Sequence, residues 1–190
     1  GIDLMRFQEV QADASFRNGK TVVTMVAGFR YQKDQDTLIK AFQYLPTEQY
    51  ELWLVGDGER RSTLEDLVSR LGILENVRFW GIRSDIPVLL KSSDIIVMSS
   101  HFEGLSLSSI EGMAVDRPFI ASDVDGLHEI TKNAGILFPH GDAKALANII
   151  LRLKEEPYYR QIADRCQQRA SKYDIRKTVT AYLEIYKQLV

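Results

Sequence analysis

Two acidic side chains, Glu103 and Glu111, lie eight residues apart in the segment Ser99-Ser100-His101-Phe102-Glu103-Gly104-Leu105-Ser106-Leu107-Ser108-Ser109-Ile110-Glu111. Two helical turns take about 7.2 residues, so Glu111 can present on the side that Glu103 faces. Carboxylates accept hydrogen bonds from vicinal hydroxyls, which suits a polyhydroxylated ligand. Gly104 lets the backbone approach such a ligand, and free amides of Leu105, Ser106 and Leu107 at a helix start favour a phosphate. The same spacing is also met by a first-turn acid that complements the helix dipole and a second acid on a solvated face. Spacing alone does not separate the two.

Cations stand in another loop, Gly28-Phe29-Arg30-Tyr31-Gln32-Lys33-Asp34. Arg30 as a bidentate donor and Lys33 as a point charge could neutralise a diphosphate, or both could be ordinary exposed loop charges. Gly56-Asp57-Gly58 is a turn able to admit backbone contact with a ligand, and Gly81, Ile82 and Arg83 could read a nucleobase through main-chain groups. Asp123, Asp125 and Glu129 around Gly126 place acids near the same rim, where an N-capping turn is the simpler explanation. The Gly28 loop lacks the G-x-G-x-x-G of a dinucleotide-binding turn and the acidic pair of a phospho-receiver domain. His101 adjoins Glu103 but has no orienting partner in the sequence. His101, His128 and His140 are scattered and Cys166 is the single cysteine, so neither a metal site nor a disulfide is expected.

These residues need elements to hold them. Six short apolar runs, 22–29, 51–55, 77–80, 94–99, 118–122 and 135–138, alternate with segments of helical period. That pattern builds a parallel sheet covered on both faces. Helices are expected over 37–45, over 62–71 with Ser62 and Glu65 as a capping box, and over 84–91 with Pro87 in its first turn. Others are expected over 105–114, from Asp142 as N-cap to a stop at Pro157, over 158–171 and over 176–189. The last carries an apolar stripe including Val179, Leu183 and Tyr186, partly uncovered if a partner domain belongs there. Right-handed crossovers give a doubly wound, Rossmann-like α/β domain with a six-stranded parallel sheet, which binds ligands at the carboxyl ends of its strands. Residues 1–19 read as a lead-in or interdomain connector and 20–190 as the domain.

The chain has 190 residues, enough for one full-sized domain. With 24 Lys and Arg against 26 Asp and Glu, the net charge of -2 offers no grip on a nucleic acid backbone. There is no apolar run of about 18 residues and no signal-peptide stretch at the start, so a cytoplasmic location is the expectation.

In combination these residues resemble the donor-binding, C-terminal domain of retaining GT-B glycosyltransferases of family 4. The resemblance is carried by Glu103-Gly104-Leu105 with Glu111, Gly112-Met113-Ala114, Arg117 through Val124, Gly126 and Glu129. It extends through Lys33, Leu54 through Gly58, Val77 through Gly81, Gly135 through Pro139 and Gly141-Asp142, and covers about 21–190. It implies a nucleoside-diphosphate sugar donor, UDP- or GDP-linked, without a cofactor or metal. Glu103 would bind hydroxyls of the transferred sugar, Glu111 those of the ribose, and Lys33 the diphosphate, with the amides of Leu105 to Leu107 assisting. Gly81 to Arg83 would flank the base. It further implies an N-terminal acceptor-binding domain in the full-length enzyme, peripheral membrane association of that enzyme, and little activity in this domain alone. One departure stands out: the family usually has Arg five residues before its Lys, where this chain has Gly28, so Arg30 would have to serve from a shifted position. A sugar-nucleotide epimerase or hydrolase of the same fold, and a non-catalytic α/β binding domain, are the competing readings.

Overall fold

A computed structural model describes residues 1–188. Its strands are β1 (Thr21–Val26), β2 (Tyr50–Val55), β3 (Val77–Gly81), β4 (Ile95–Met98), β5 (Phe119–Ser122) and β6 (Ile136–Phe138). They form one parallel sheet in the order β3-β2-β1-β4-β5-β6. β2, β4 and β5 are buried along their whole length, which explains why each reads as a continuous apolar run rather than an alternating one. The order reverses between β1 and β4, and a doubly wound sheet opens its ligand crevice at that reversal.

The helices are α1 (Met5–Gln8), α2 (Gln35–Ala41), α3 (Arg61–Arg70), α4 (Ile86–Ser92), α5 (Leu107–Met113), α6 (Leu127–Thr131), α7 (Ala143–Arg152), α8 (Glu156–Ala170) and α9 (Ile175–Gln188). Asp142 caps α7 as its position suggests, accepting from the Ala145 amide at 2.9 Å. Pro87 sits in the first turn of α4, where its missing N–H costs nothing.

Several boundaries differ from the sequence reading. β1 ends at Val26, yet the amides of Ala27 and Phe29 still donate to the carbonyls of Val55 and Asp57 at 3.0 and 2.9 Å. The first long helix starts earlier, at Gln35, because Asp34 caps it through the Thr37 amide, and it tightens into a 3-10 turn at Phe42–Tyr44. Ser62 and Glu65 form no capping box. α3 begins at Arg61, which puts Ser62 inside the helix and lets Glu65 pair with Arg61 at 2.7 Å instead. Pro157 does not stop α7, which ends at Arg152; it opens α8, a first-turn role that its fixed φ favours. Leu189, the expected end of the last helix, lies outside the described residues.

The lead-in is more embedded than its polarity suggests. Ile2, Leu4 and Phe7 are buried in the core, and Ile2 exchanges backbone hydrogen bonds with the 173–175 segment at 2.9 Å. In α9, by contrast, Val179, Tyr182, Leu183, Ile185 and Tyr186 are each more than half exposed.

Candidate functional site

The loops leaving β1 and β4 meet above the sheet reversal. Ser99 Oγ donates to the Asp34 carbonyl at 2.7 Å, the His101 amide to the Gln32 carbonyl at 2.8 Å, and Gln32 Nε2 to the Phe102 carbonyl at 2.9 Å. These cross-links bring Lys33 onto Glu103, with Nζ 2.5 Å from Oε1. Ser100 Oγ donates to the same oxygen at 2.7 Å. The Glu103 side chain is only 7% exposed and that of Lys33 21%, so the pair is strengthened by poor solvation and each partner compensates the other. Two acceptances on Oε1 leave Glu103 Oε2 without a hydrogen bond among the described residues. Lys33 likewise retains donors beyond the one it spends on Glu103.

A third loop fixes this carboxylate from behind. Ser122 Oγ, at the end of β5, donates to the Ser100 carbonyl at 2.6 Å, and the Glu103 amide reaches the Asp125 carbonyl at 3.3 Å. Gly126 has φ 81°, and a Cβ there would overlap the carbonyl oxygens of Glu103 and Gly104. Glu129 holds that turn by accepting from the Gly126 amide at 2.7 Å. Gly126 and Glu129 therefore act on the site by seating the Glu103 loop.

Beside Lys33 opens a cavity of about 550 Å³ bordered by Gly28, Arg30, Gln32, Asp57, Gly58 and Ser108. A second hollow of about 300 Å³, lined by Gly28, Gly56, Ile82, Arg83, Ile86 and Ser108, adjoins it. Gly28 and Ser108 border both, so together they make one elongated crevice with a charged end and an apolar end. At the charged end, Arg30 Nε folds back to 4.0 Å from the point that a Cβ on Gly28 would occupy. At the apolar end, Ile82 is 85% exposed. Arg83 is held by Asp85 through contacts of 2.8 and 2.6 Å and lies over the Trp80 ring at 5.3 Å, so its charge is largely spent within the protein. Gly56 is required structurally, because a Cβ there would overlap the Ala27 carbonyl.

The acidic segment is shaped differently from its sequence reading. The helix starts at Leu107, two residues later than the expected 105, because Ser106 takes the N-cap position and accepts from the Ser109 amide at 3.3 Å. The amides of Leu105 and Ser106 thus belong to a loop rather than a helix end, and neither they nor the amide of Leu107 finds an acceptor among the described residues. Glu111 borders neither hollow. It sits one turn beyond Ser108, on the same helical face. Burial pushes its carboxyl above the usual carboxylate range, opposed in part by the positive charge of Arg6 on α1.

Sequence spacing did not reveal Gln32, Ser100 and Ser108 as part of this region, since uncharged side chains carry no signal until the fold brings them to a charge. Nor did it reveal how two of the histidines meet. His101 and His140, far apart in the chain, meet with Nδ1 and Nε2 at 2.6 Å beside the buried Asp34.

A family model described as glycosyl transferases group 1 matches residues 7–173. The chain belongs to this family. It is 32% identical over 168 residues to the lipopolysaccharide core biosynthesis glycosyltransferase LpsE of Rhizobium meliloti (strain 1021), covering 86% of this chain and 49% of LpsE. It is 28% identical over 183 residues to the N-acetyl-alpha-D-glucosaminyl L-malate synthase of Bacillus anthracis, covering 94% of this chain and 48% of the synthase. Among solved structures, the Anabaena HepE complex with UDP superposes with a TM-score of 0.89 and 28% identity, over 100% of this chain and 55% of HepE. HepE has also been solved with UDP-glucose. The chain thus spans about half the length of the relatives it matches. Among the described residues no helix is long and apolar enough to cross a membrane.

Proposed function

We propose that this chain is the nucleotide-sugar-binding half of a retaining, family 4 glycosyltransferase of GT-B architecture. The observation that carries the reading is the Lys33–Glu103 contact of 2.5 Å at the sheet reversal, beside a crevice lined at one end by the charges of Arg30, Lys33, Asp57 and Glu59 and apolar at the other. The likeness to HepE, which binds UDP and UDP-glucose, supports it.

In this reading the base lies between Gly81, Ile82 and Arg83, with Gly56 letting the backbone come close. Glu111 accepts from the ribose hydroxyls. Lys33, Arg30 and the amides of Leu105, Ser106 and Leu107 face the diphosphate, while Gly104 admits the sugar to Glu103, whose Oε2 accepts its hydroxyls. Transfer breaks the bond between the anomeric carbon and the diphosphate oxygen and forms one to the acceptor oxygen, retaining configuration, while the acceptor hydroxyl's proton passes to the departing diphosphate. Negative charge grows on the departing diphosphate, and preorganised cations and amides lower the barrier by stabilising it. Residues 20–190 would form the donor domain. An acceptor-binding domain elsewhere in the protein would close on it and cover the apolar face of α9.

Calorimetric titration of the protein with UDP, GDP, UDP-glucose and inorganic pyrophosphate tests the reading. A nucleoside diphosphate should bind, and Glu111→Ala should weaken it without altering pyrophosphate binding. Equal heats from both proteins with every nucleotide would remove Glu111 from the ribose, and no nucleotide binding at all would favour a non-catalytic module.

A further inference from the structure

A cluster beside the sugar pocket is used by nothing above. Asp34, His101 and His140 come from the loops after β1, β4 and β6, and among the described residues they form the group whose donor atoms could surround a metal ion. His101 Nδ1 lies 2.6 Å from His140 Nε2, and Asp34 Oδ2 lies 3.8 and 4.0 Å from those nitrogens. Zinc takes imidazole nitrogens at about 2.0–2.1 Å in tetrahedral directions, which needs the two nitrogens farther apart than 2.6 Å, so an ion would replace the His101–His140 hydrogen bond by two metal bonds as the exposed His140 swings outward.

The surroundings behave as a support for ligands. Thr37 Oγ1 donates to Asp34 Oδ2 at 2.6 Å and the Thr37 amide to Oδ1 at 3.3 Å, which orients the carboxylate. Asp34 is 4% exposed, with φ 46° in the left-handed region, a conformation that a non-glycine residue adopts at some energetic cost. Tyr31 packs on the His101 ring with centroids 4.5 Å apart, and the His101 amide is tied to Gln32. His140 is the more exposed ligand and leaves one side of the cluster open to a water or ligand oxygen.

We infer that Asp34, His101 and His140 bind a zinc-class divalent ion with two nitrogens and one oxygen, leaving one open position. The ion would clamp three strand-end loops. Asp34 directly follows Lys33, and His101 precedes Glu103 by two positions, so the clamp acts on the segments that carry both charges.

The test is titration of the intact, tag-free protein with Zn²⁺ by calorimetry, and with Co²⁺ by visible absorption. Wild-type protein should take up one ion at this site, and His101→Ala and His140→Ala should each weaken it. Loss of a partner one bond removed from a metal already costs about 10–100-fold in affinity, so losing a ligand should cost at least roughly tenfold. His128→Ala, which removes a histidine paired with Asp123, should leave the titration unchanged. His140 lies in an exposed loop, so its variant keeps the test valid even if His101→Ala disturbs the fold. Zn²⁺ affinity equal in wild type and His140→Ala would overturn the inference. So would imidazole nitrogen resonances of His101 and His140 that do not move on Zn²⁺ addition.

Discussion

Arg30 Nε lies 4.0 Å from the place a Cβ on Gly28 would stand, so the guanidinium occupies the space above the glycine. A positive charge at this end of the crevice is thereby supplied by a side chain from two residues further on. Arg30→Ala should weaken UDP binding by roughly three- to tenfold, about 1 kcal/mol after solvent screening. Adding Gly28→Arg in that background should restore most of it, because a Cβ at Gly28 meets nothing nearer than 3.8 Å. Calorimetry with UDP is the measurement. An unchanged affinity in Arg30→Ala would leave the phosphates to Lys33.

Lys33 and Glu103 stabilise as a pair and destabilise apart. Lys33→Met strands a carboxylate whose side chain is 7% exposed, and urea unfolding should show a loss of about 2–4 kcal/mol. Glu103→Gln keeps the shape and the Ser100 contact and should cost less. A double variant, Lys33→Met with Glu103→Gln, should recover part of the loss; additive losses would mean that the two charges do not interact.

Gly126→Ala should displace the Glu103 loop, since the new methyl overlaps the Glu103 carbonyl at a φ of 81°. A stability loss of about 1–3 kcal/mol is expected. The sharper readout compares ligands: affinity for UDP-glucose should fall more than affinity for UDP, because the moved carboxylate would face the sugar. Equal loss for both would put the effect on the whole crevice.

Glu111 carries a pH consequence. Burial raises its folded-state pKa above the ordinary 4.5, so the folded state holds the proton more readily than the unfolded chain. Its ionisation therefore costs stability, absent below the carboxylate range and fully present once pH exceeds the raised value. At neutral pH Glu111→Gln should be more stable than wild type in urea, with the difference vanishing in acid. The same variant should bind UDP about tenfold more weakly, through loss of a charge-assisted hydrogen bond. A variant that is less stable at neutral pH would contradict the burial argument.

The layers of the fold were legible because buried parallel strands announce themselves: Leu52 through Val55 or Ile95 through Met98 has no polar face to confuse the period. Boundaries failed where a side chain chose between two backbone roles. Ser106 could have been a first-turn residue but capped the helix, and Pro157 could stop one helix or start the next. Ser62 looked like a cap, but Arg61 already stood inside the helix. For the site, the charged positions were nameable because strand ends in a doubly wound sheet converge. The meeting of His101 with His140 was not, since a separation of 39 positions hides a contact that only strand order creates.

The hydroxyls of Ser99 and Ser122 staple neighbouring strand-end loops to one another through main-chain carbonyls, independently of the side chains that face outward from those loops. Phe102 and Leu105, both more than half exposed, project from a floor whose shape they do not determine. Substitution at such rim positions alters the surface while the hydroxyl-to-carbonyl staples beneath stay in place, so the outline of the crevice can vary without the loops having to refold.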